Sequence, residues 1–292
     1  MPEFAHPESL ISTARLADLL ADPTVRVLDG SFTMPGVTPN AGELFAERHI
    51  PGAQFFDIDA VSDSASPLPH MLPSPEAFEQ VAGGLGIGGD TLVVAYDTPG
   101  LMSAGRVWWT FRVYGHHRVA VLDGGLKAWL AEGRRVESGP ARTPAPASFH
   151  ASFRPDLVRD RAAMLGNVGS QAEQVIDARA APRFQGAVPE PRAGLRSGHI
   201  PGSLNLPSDQ LTDPQTGRIK PAGELARLLA QAGVTAEAPV ATTCGSGVTA
   251  AALAFGLHLI GRDDVAVYDG SWSEWGMPGD TPVETGAARS RP

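Results

Sequence analysis

One cysteine, Cys244, stands in 292 residues, and that scarcity excludes several designs. No internal disulfide framework can form, and one thiolate cannot build a cysteine-rich metal site. A solitary thiol fits a reducing compartment, so a cytoplasmic location is expected. Lysine is nearly absent too. Only Lys127 and Lys220 occur among 23 basic residues, against 32 acidic ones, for a net charge of −9. No run of Lys or Arg forms a basic stripe, and phosphate contacts need concentrated positive charge, so no nucleic acid partner is expected. No stretch approaches the ~18 apolar residues of a membrane span, so no membrane partner is expected either. Residues 1–14 lack the basic-then-apolar pattern of a secretory signal. What is present is ordinary globular composition, 42% hydrophobic and 19% charged. The length exceeds one usual core and predicts two domains.

The chain repeats itself. His49-Ile50-Pro51-Gly52 recurs as His199-Ile200-Pro201-Gly202. In step with these boxes, Val27-Leu28-Asp29 matches Val175-Ile176-Asp177, and Val93 to Asp97 matches Val240 to Cys244. Val121-Leu122-Asp123-Gly124-Gly125 matches Val267-Tyr268-Asp269-Gly270-Ser271, and Trp129 matches Trp275. Five matches in order make the halves copies of one domain. In the first copy, β-branched runs at 25–28, 92–96 and 119–122 read as buried parallel strands, with helices over 75–85 and 105–114. In the second, strands are predicted at 174–176, 239–242 and 265–268, with helices over 222–231 and 248–260. This alternation predicts an α/β fold: two tandem domains, each an open, mostly parallel sheet with helices on both faces. The domains are placed at 1–136 and 152–292, joined by a Pro- and Ser-containing linker over 137–151. The tail at 286–292 is expected to be mobile.

In such sheets ligands bind beyond the carboxyl ends of the strands. Asp97 and Cys244 occupy equivalent strand ends, an acid in one copy and a thiol in the other. A lone cysteine is most often a small buried hydrophobe, but this one precedes a Gly-rich turn and a helix. In Cys244-Gly245-Ser246-Gly247-Val248-Thr249 the glycines let the backbone curl, and a curled loop can present successive N–H groups as an anion nest. The helix that follows adds its positive dipole end. Both effects favour a thiolate and predict a depressed pKa for Cys244.

Over roughly 16–278 the chain resembles the two-domain rhodanese superfamily. The loop Cys-Gly-Ser-Gly-Val-Thr, followed by Ala250, resembles the active-site signature of its 3-mercaptopyruvate sulfurtransferase branch. Thiosulfate sulfurtransferases usually carry basic side chains just after the cysteine, where this chain has Gly245 and Ser246. The paired His-Ile-Pro-Gly boxes and the segment Gly270-Ser271-Trp272-Ser273-Glu274-Trp275 carry the resemblance further. Asp97 fits a family whose first domain has lost its nucleophile.

The resemblance implies sulfur transfer from 3-mercaptopyruvate through a persulfide on Cys244, with no metal and no organic cofactor. The acceptor would be a thiol, such as thioredoxin or a low-molecular-weight thiol, or cyanide in an assay. Arg183-Phe184-Gln185-Gly186-Ala187-Val188-Pro189-Glu190-Pro191-Arg192 is similar to the family's substrate-binding stretch, so Arg183 and Arg192 are implied to grip the donor's carboxylate and keto oxygen. The loop residues Gly245, Gly247, Val248 and Thr249 would surround the sulfur. His70, Asp59 and Ser246 match the family's proton relay, although Asp57 and Asp63 lie close to Asp59. Arg179 is as well explained by a structural ion pair. His49 and His199 recur in both copies, which points to a structural role. Three rivals are open. Thiosulfate could be the donor. A cysteine-dependent phosphatase would need Arg six residues after the cysteine, where Ala250 stands. A non-catalytic binding module suits the first domain, with Asp97, better than the second.

Overall fold

The computed structural model describes residues 3–288. The first half runs β1 (Leu10–Ile11), α1 (Thr13–Leu19), β2 (Val25–Asp29), α2 (Ala41–Glu47), β3 (Gln54–Phe55), α3 (Pro75–Gly84), β4 (Leu92–Tyr96), α4 (Ala104–Val113), β5 (Val119–Leu122) and α5 (Gly125–Ala131). The second repeats that alternation element for element: β6 (Val158–Arg159), α6 (Arg161–Ser170), β7 (Gln174–Asp177), α7 (Ala181–Phe184), β8 (Leu204–Asn205), α8 (Ala222–Gln231), β9 (Val240–Thr243), α9 (Val248–Leu259), β10 (Val265–Tyr268) and α10 (Ser271–Trp275). The two sheets have corresponding strand orders, β1-β5-β4-β2-β3 and β6-β10-β9-β7-β8. Every pairing is parallel. The chain leaves β2 for β3 on one side and returns to β4 on the other, and β7, β8 and β9 do the same. The crevice at that reversal is where such sheets bind ligands.

Alternation along the strands builds two layers of core. Val93 and Ala95 pack with Phe78 of α3 and Phe111 of α4, while Val94 and Tyr96 pack with Leu16, Phe45 and Trp129 of α1, α2 and α5. In the second half Val240 and Val267 face α8 and α9, while Ala241 and Tyr268 face Met164 of α6 and the α10 tryptophans. The α3/α4 and α8/α9 layers merge into one core shared by both halves. Helix α9 is buried at every position but Thr249, as an apolar helix without a solvent face should be. It packs on α4 so closely that a Cβ on Gly105 would lie 2.8 Å from Ala252 Cα. Among the described residues no helix is long and apolar enough to cross a membrane.

The linker over 137–151 runs as a strap on the first domain. Glu137 bridges His49, and Ala147 N–H donates to the Gly83 carbonyl at 3.0 Å. Phe149 is buried edge-on to Phe78. The tail begins fixed, because Gly286 N–H donates to the Gln185 carbonyl at 2.9 Å; its last part, 289–292, lies outside the described residues. The repeated histidines are structural in both copies. His49 and His199 stack on Phe45 and Phe184, at 4.1 and 3.8 Å between ring centroids, and their Nδ1 atoms meet the Phe45 and Phe184 carbonyls.

Candidate active site

Cys244 follows β9 at the carboxyl edge of the sheet, and residues 245–247 turn the chain into α9. Gly247 has φ +78°, and a Cβ there would lie 2.8 Å from the Asp269 carbonyl oxygen, so the turn admits only glycine. The loop is braced from behind. Cys244 N–H donates to Ser271 Oγ at 3.1 Å, and the N–H groups of Trp272 and Ser273 donate to the carbonyls of Cys244 and Gly245 at 3.0 and 2.8 Å. The N–H groups of residues 245–249 make no hydrogen bond to any described residue. Cys244 is only 2% exposed, yet it lines a cavity of about 390 Å³ together with Phe32, Met34, Arg183, Arg192 and Thr249.

The first half shows what such a turn holds. Asp97 follows β4 as Cys244 follows β9. Its buried carboxylate accepts from the N–H groups of Gly100, Met102, Ser103 and Ala104 at 2.7–2.8 Å. Amides at the head of α4 thus surround a negative group at this strand end. The first copy supplies its own anion; the second offers a sulfur atom and unengaged amides.

Arg183 and Arg192 converge on the loop. A Cβ on Gly245 would lie 3.2 Å from Arg183 Nη2 and 4.0 Å from Arg192 Nη1. Arg183 is oriented by Glu190, donating through Nη2 at 2.5 Å and Nε at 3.3 Å. Glu190 is itself held by Arg179 Nη1 at 2.8 Å. Arg179 also pairs with Asp177 and lies 4.2 Å over the Trp272 ring, which makes it the structural member of the three. Arg192 has no such partner: its Nη2 is buried and meets no acceptor. Burial lowers the Arg192 pKa from its ordinary value, and the charge of Cys244 opposes that shift. A buried donor without an acceptor is costly, and a bound carboxylate would relieve it.

The loop after β3 brings His70 to Ser246 in the turn after Cys244. Its Nδ1 lies 2.9 Å from Ser246 Oγ, and its Nε2 lies 2.9 Å from Asp59 Oδ1. The carboxylate can only accept, so Nε2 carries the proton and Nδ1 is free to accept from the serine hydroxyl. Asp57 instead caps the turn, accepting from the N–H groups of Asp59 and Ala60, and Asp63 accepts from Ala65 N–H. Burial, the largest influence, holds the His70 pKa below the imidazole value of 6.5; Asp59 pulls it up, while Arg106 and Arg192 push it down. A neutral base oriented by a carboxylate, beside a hydroxyl and a cysteine, can move one proton near an anionic sulfur.

Comparison with known proteins settles the family. The Rhodanese-like domain matches residues 12–132 and again 160–277. The chain belongs to the rhodanese family. Human 3-mercaptopyruvate sulfurtransferase is 45% identical over 275 residues, covering 92% of each chain. Rat thiosulfate sulfurtransferase is 45% identical over 288 residues, covering 95% of this chain and 96% of its own. The crystal structure of SseA from Escherichia coli, a 3-mercaptopyruvate sulfotransferase, aligns with a TM-score of 0.82 at 38% identity, covering 91% of this chain and 99% of that one. Overall identity to rhodanese relatives thus does not separate the two donors, and the residues beside Cys244 must.

Some residues of this rhodanese site were not singled out from the sequence. Glu190 lies inside the quoted Arg183 to Arg192 stretch, and an acid between two arginines is a signal for pairing. Phe32 and Met34 enter the cavity from a loop of the first domain that carries no motif.

Proposed function

We propose that this protein is a 3-mercaptopyruvate sulfurtransferase. The observation that carries the reading is the placement of two arginines over Gly245, one with a buried nitrogen lacking an acceptor, directly beside Cys244. A keto acid supplies the carboxylate and carbonyl oxygens that such a pair grips. The thiolate of Cys244 attacks the donor's sulfur, and the carbon–sulfur bond breaks toward the enolate of pyruvate. The donor's thiol proton, passed through Ser246 and His70 with Asp59 behind, ends on the methyl carbon. The persulfide anion left on Cys244 takes the loop amides and the dipole of α9 as its counter-charge. A second half-reaction hands its outer sulfur to an acceptor thiol, thioredoxin or a small thiol, in the reducing cytoplasm.

Intact mass after incubation with mercaptopyruvate tests the reading. The protein should gain one sulfur atom, lose it to a reductant, and gain none as Cys244→Ser. Sulfur uptake by the serine variant would sink the nucleophile assignment. Thiosulfate is the second reading, favoured by the identity to the rat enzyme. Against it, Gly245 and Ser246 follow Cys244, so the loop carries no basic side chain there for a dianionic donor. A kcat/KM for thiosulfate above that for mercaptopyruvate would reverse the choice.

A further inference from the structure

Among the described residues, three other than glycine have a φ in the left-handed region, and His70 is one of them at +62°. That conformation is disfavoured for a residue with a Cβ and persists only where surrounding groups enforce it. Two groups do so. Arg106, on α4 of the first half, donates through Nη2 to the His70 carbonyl. Asp269, just after β10 in the second half, accepts Leu72 N–H through Oδ2 at 2.8 Å. The two are joined, Arg106 Nη1 to Asp269 Oδ1 at 2.6 Å, with each side chain 4% exposed. The carbonyl of His70 and the N–H two residues on are therefore held by the two ends of one ion pair. The guanidinium plane is fixed by Trp109, whose ring lies 4.6 Å away. The same guanidinium borders the nucleophile turn, since a Cβ on Gly247 would lie 2.9 Å from Nη1.

We infer that the Arg106–Asp269 pair is the positioning device for the proton relay, a role that rests on the sulfurtransferase reading above. Neither residue lines the cavity at Cys244; both act on the backbone around His70. A buried ion pair contributes little stability beyond an apolar pair of the same shape. Its use here is registration. One side chain comes from each domain, and together they set a histidine of the first against a serine of the second. Asp269 spends one oxygen on Arg106 and one on Leu72. An asparagine offers a single acceptor for those two donors, so Asp269→Asn must release one of them at nearly unchanged size.

The test measures kcat and KM for mercaptopyruvate in Arg106→Met and Asp269→Asn, each alone and in a His70→Ala background. Each single substitution should lower kcat about 10- to 100-fold and leave KM within about twofold. In the His70→Ala background the same substitutions should change kcat by less than about twofold, because the histidine they position is gone. Equal losses in both backgrounds would overturn the proposal, as would a loss confined to KM, full activity in both variants, or an undiminished His70→Ala enzyme. Should Arg106→Met not fold, Asp269→Asn decides. Intact mass of the unsubstituted enzyme separates the two levels. If it gains no sulfur from mercaptopyruvate, the reading of the site fails; if it gains sulfur while the losses ignore His70, only the positioning role fails.

Discussion

Arg192 is a cation with one buried nitrogen that meets no acceptor, and a donor carboxylate is the group that would complete it. Losing a charge-assisted hydrogen bond costs about 1.5–3 kcal/mol, so Arg192→Ala should raise KM for mercaptopyruvate roughly 10- to 100-fold. Thiosulfate has no carboxylate, and its KM should move less. Equal rises for both donors would argue against the grip. Arg183→Ala should act in the same direction with a side effect, because it leaves Glu190 with Arg179 alone. His70 makes a second prediction. Burial lowers its pKa, so it stays neutral, and able to accept a proton, to lower pH than an ordinary imidazole. An NMR titration of the His70 ring should find its midpoint below 6.5; a midpoint above that value would mean that burial does not govern this histidine. Much of this site was legible in the sequence, because Cys244, Ser246, Arg183 and Arg192 sit in short motifs. The choice of Asp59 over Asp57 was not, since it depends on which carboxylate the folded loop turns toward the imidazole. Arg106 and Asp269 were invisible for the same reason. They are 163 positions apart, and only folding joins them.

The elements divide in a similar way. Strands rich in Val, Ile and Leu, and buried on both faces, announced themselves; β4, β5 and β10 match their sequence reading to the residue. The edge strands β1, β3, β6 and β8 have two residues each, too few to show any period. Helices α4 and α9 were legible as helices, but their pairing was not, because it depends on small residues rather than on an apolar stripe. Gly105 against Ala252 is the close point of that pairing. A methyl group there overlaps backbone, which cannot swing aside as a side chain could. Gly105→Ala should therefore destabilise the protein by about 1–3 kcal/mol through overpacking, despite the better helix propensity of alanine. Thermal unfolding would register a lower Tm for the variant. An unchanged or higher Tm would show that the two helices can move apart at no cost.

At the scale of the whole molecule, one copy of the domain does chemistry and the other serves it. The first half keeps an acid where the second has its thiol; it lends Phe32 to the cavity at Cys244 and sets His70, with Asp59 behind it, against Ser246 of its twin. That division requires the halves to stay in register, and His258 on α9 is one of the points where they are fastened. It is buried, with Ser9 Oγ at 3.1 Å and Arg112 Nη1 at 3.3 Å from its Nε2, both from the first half. His6 stacks on it at 4.0 Å, and His258 Nδ1 donates to Asp263 Oδ1 at 2.7 Å. Burial, and next the charge of Arg112, lower its pKa from 6.5 to about 4. Unfolded, the same ring titrates near its ordinary value. Between these two values the unfolded chain binds a proton that the folded chain refuses, so stability falls as the pH drops through that window. The loss is about 3 kcal/mol, at 1.36 kcal/mol per unit. Burial, the largest influence, raises the pKa of Asp263, but the contacts with His258 and His6 together bring it below 3.8, so Asp263 adds its own dependence only beneath the window. His258→Gln keeps a neutral polar group at the junction and removes the titration. Denaturant midpoints measured from neutral pH down to about 4 should therefore fall more steeply in the unsubstituted protein than in the variant. Parallel curves would mean that the fastening of the two halves is indifferent to the charge of this ring.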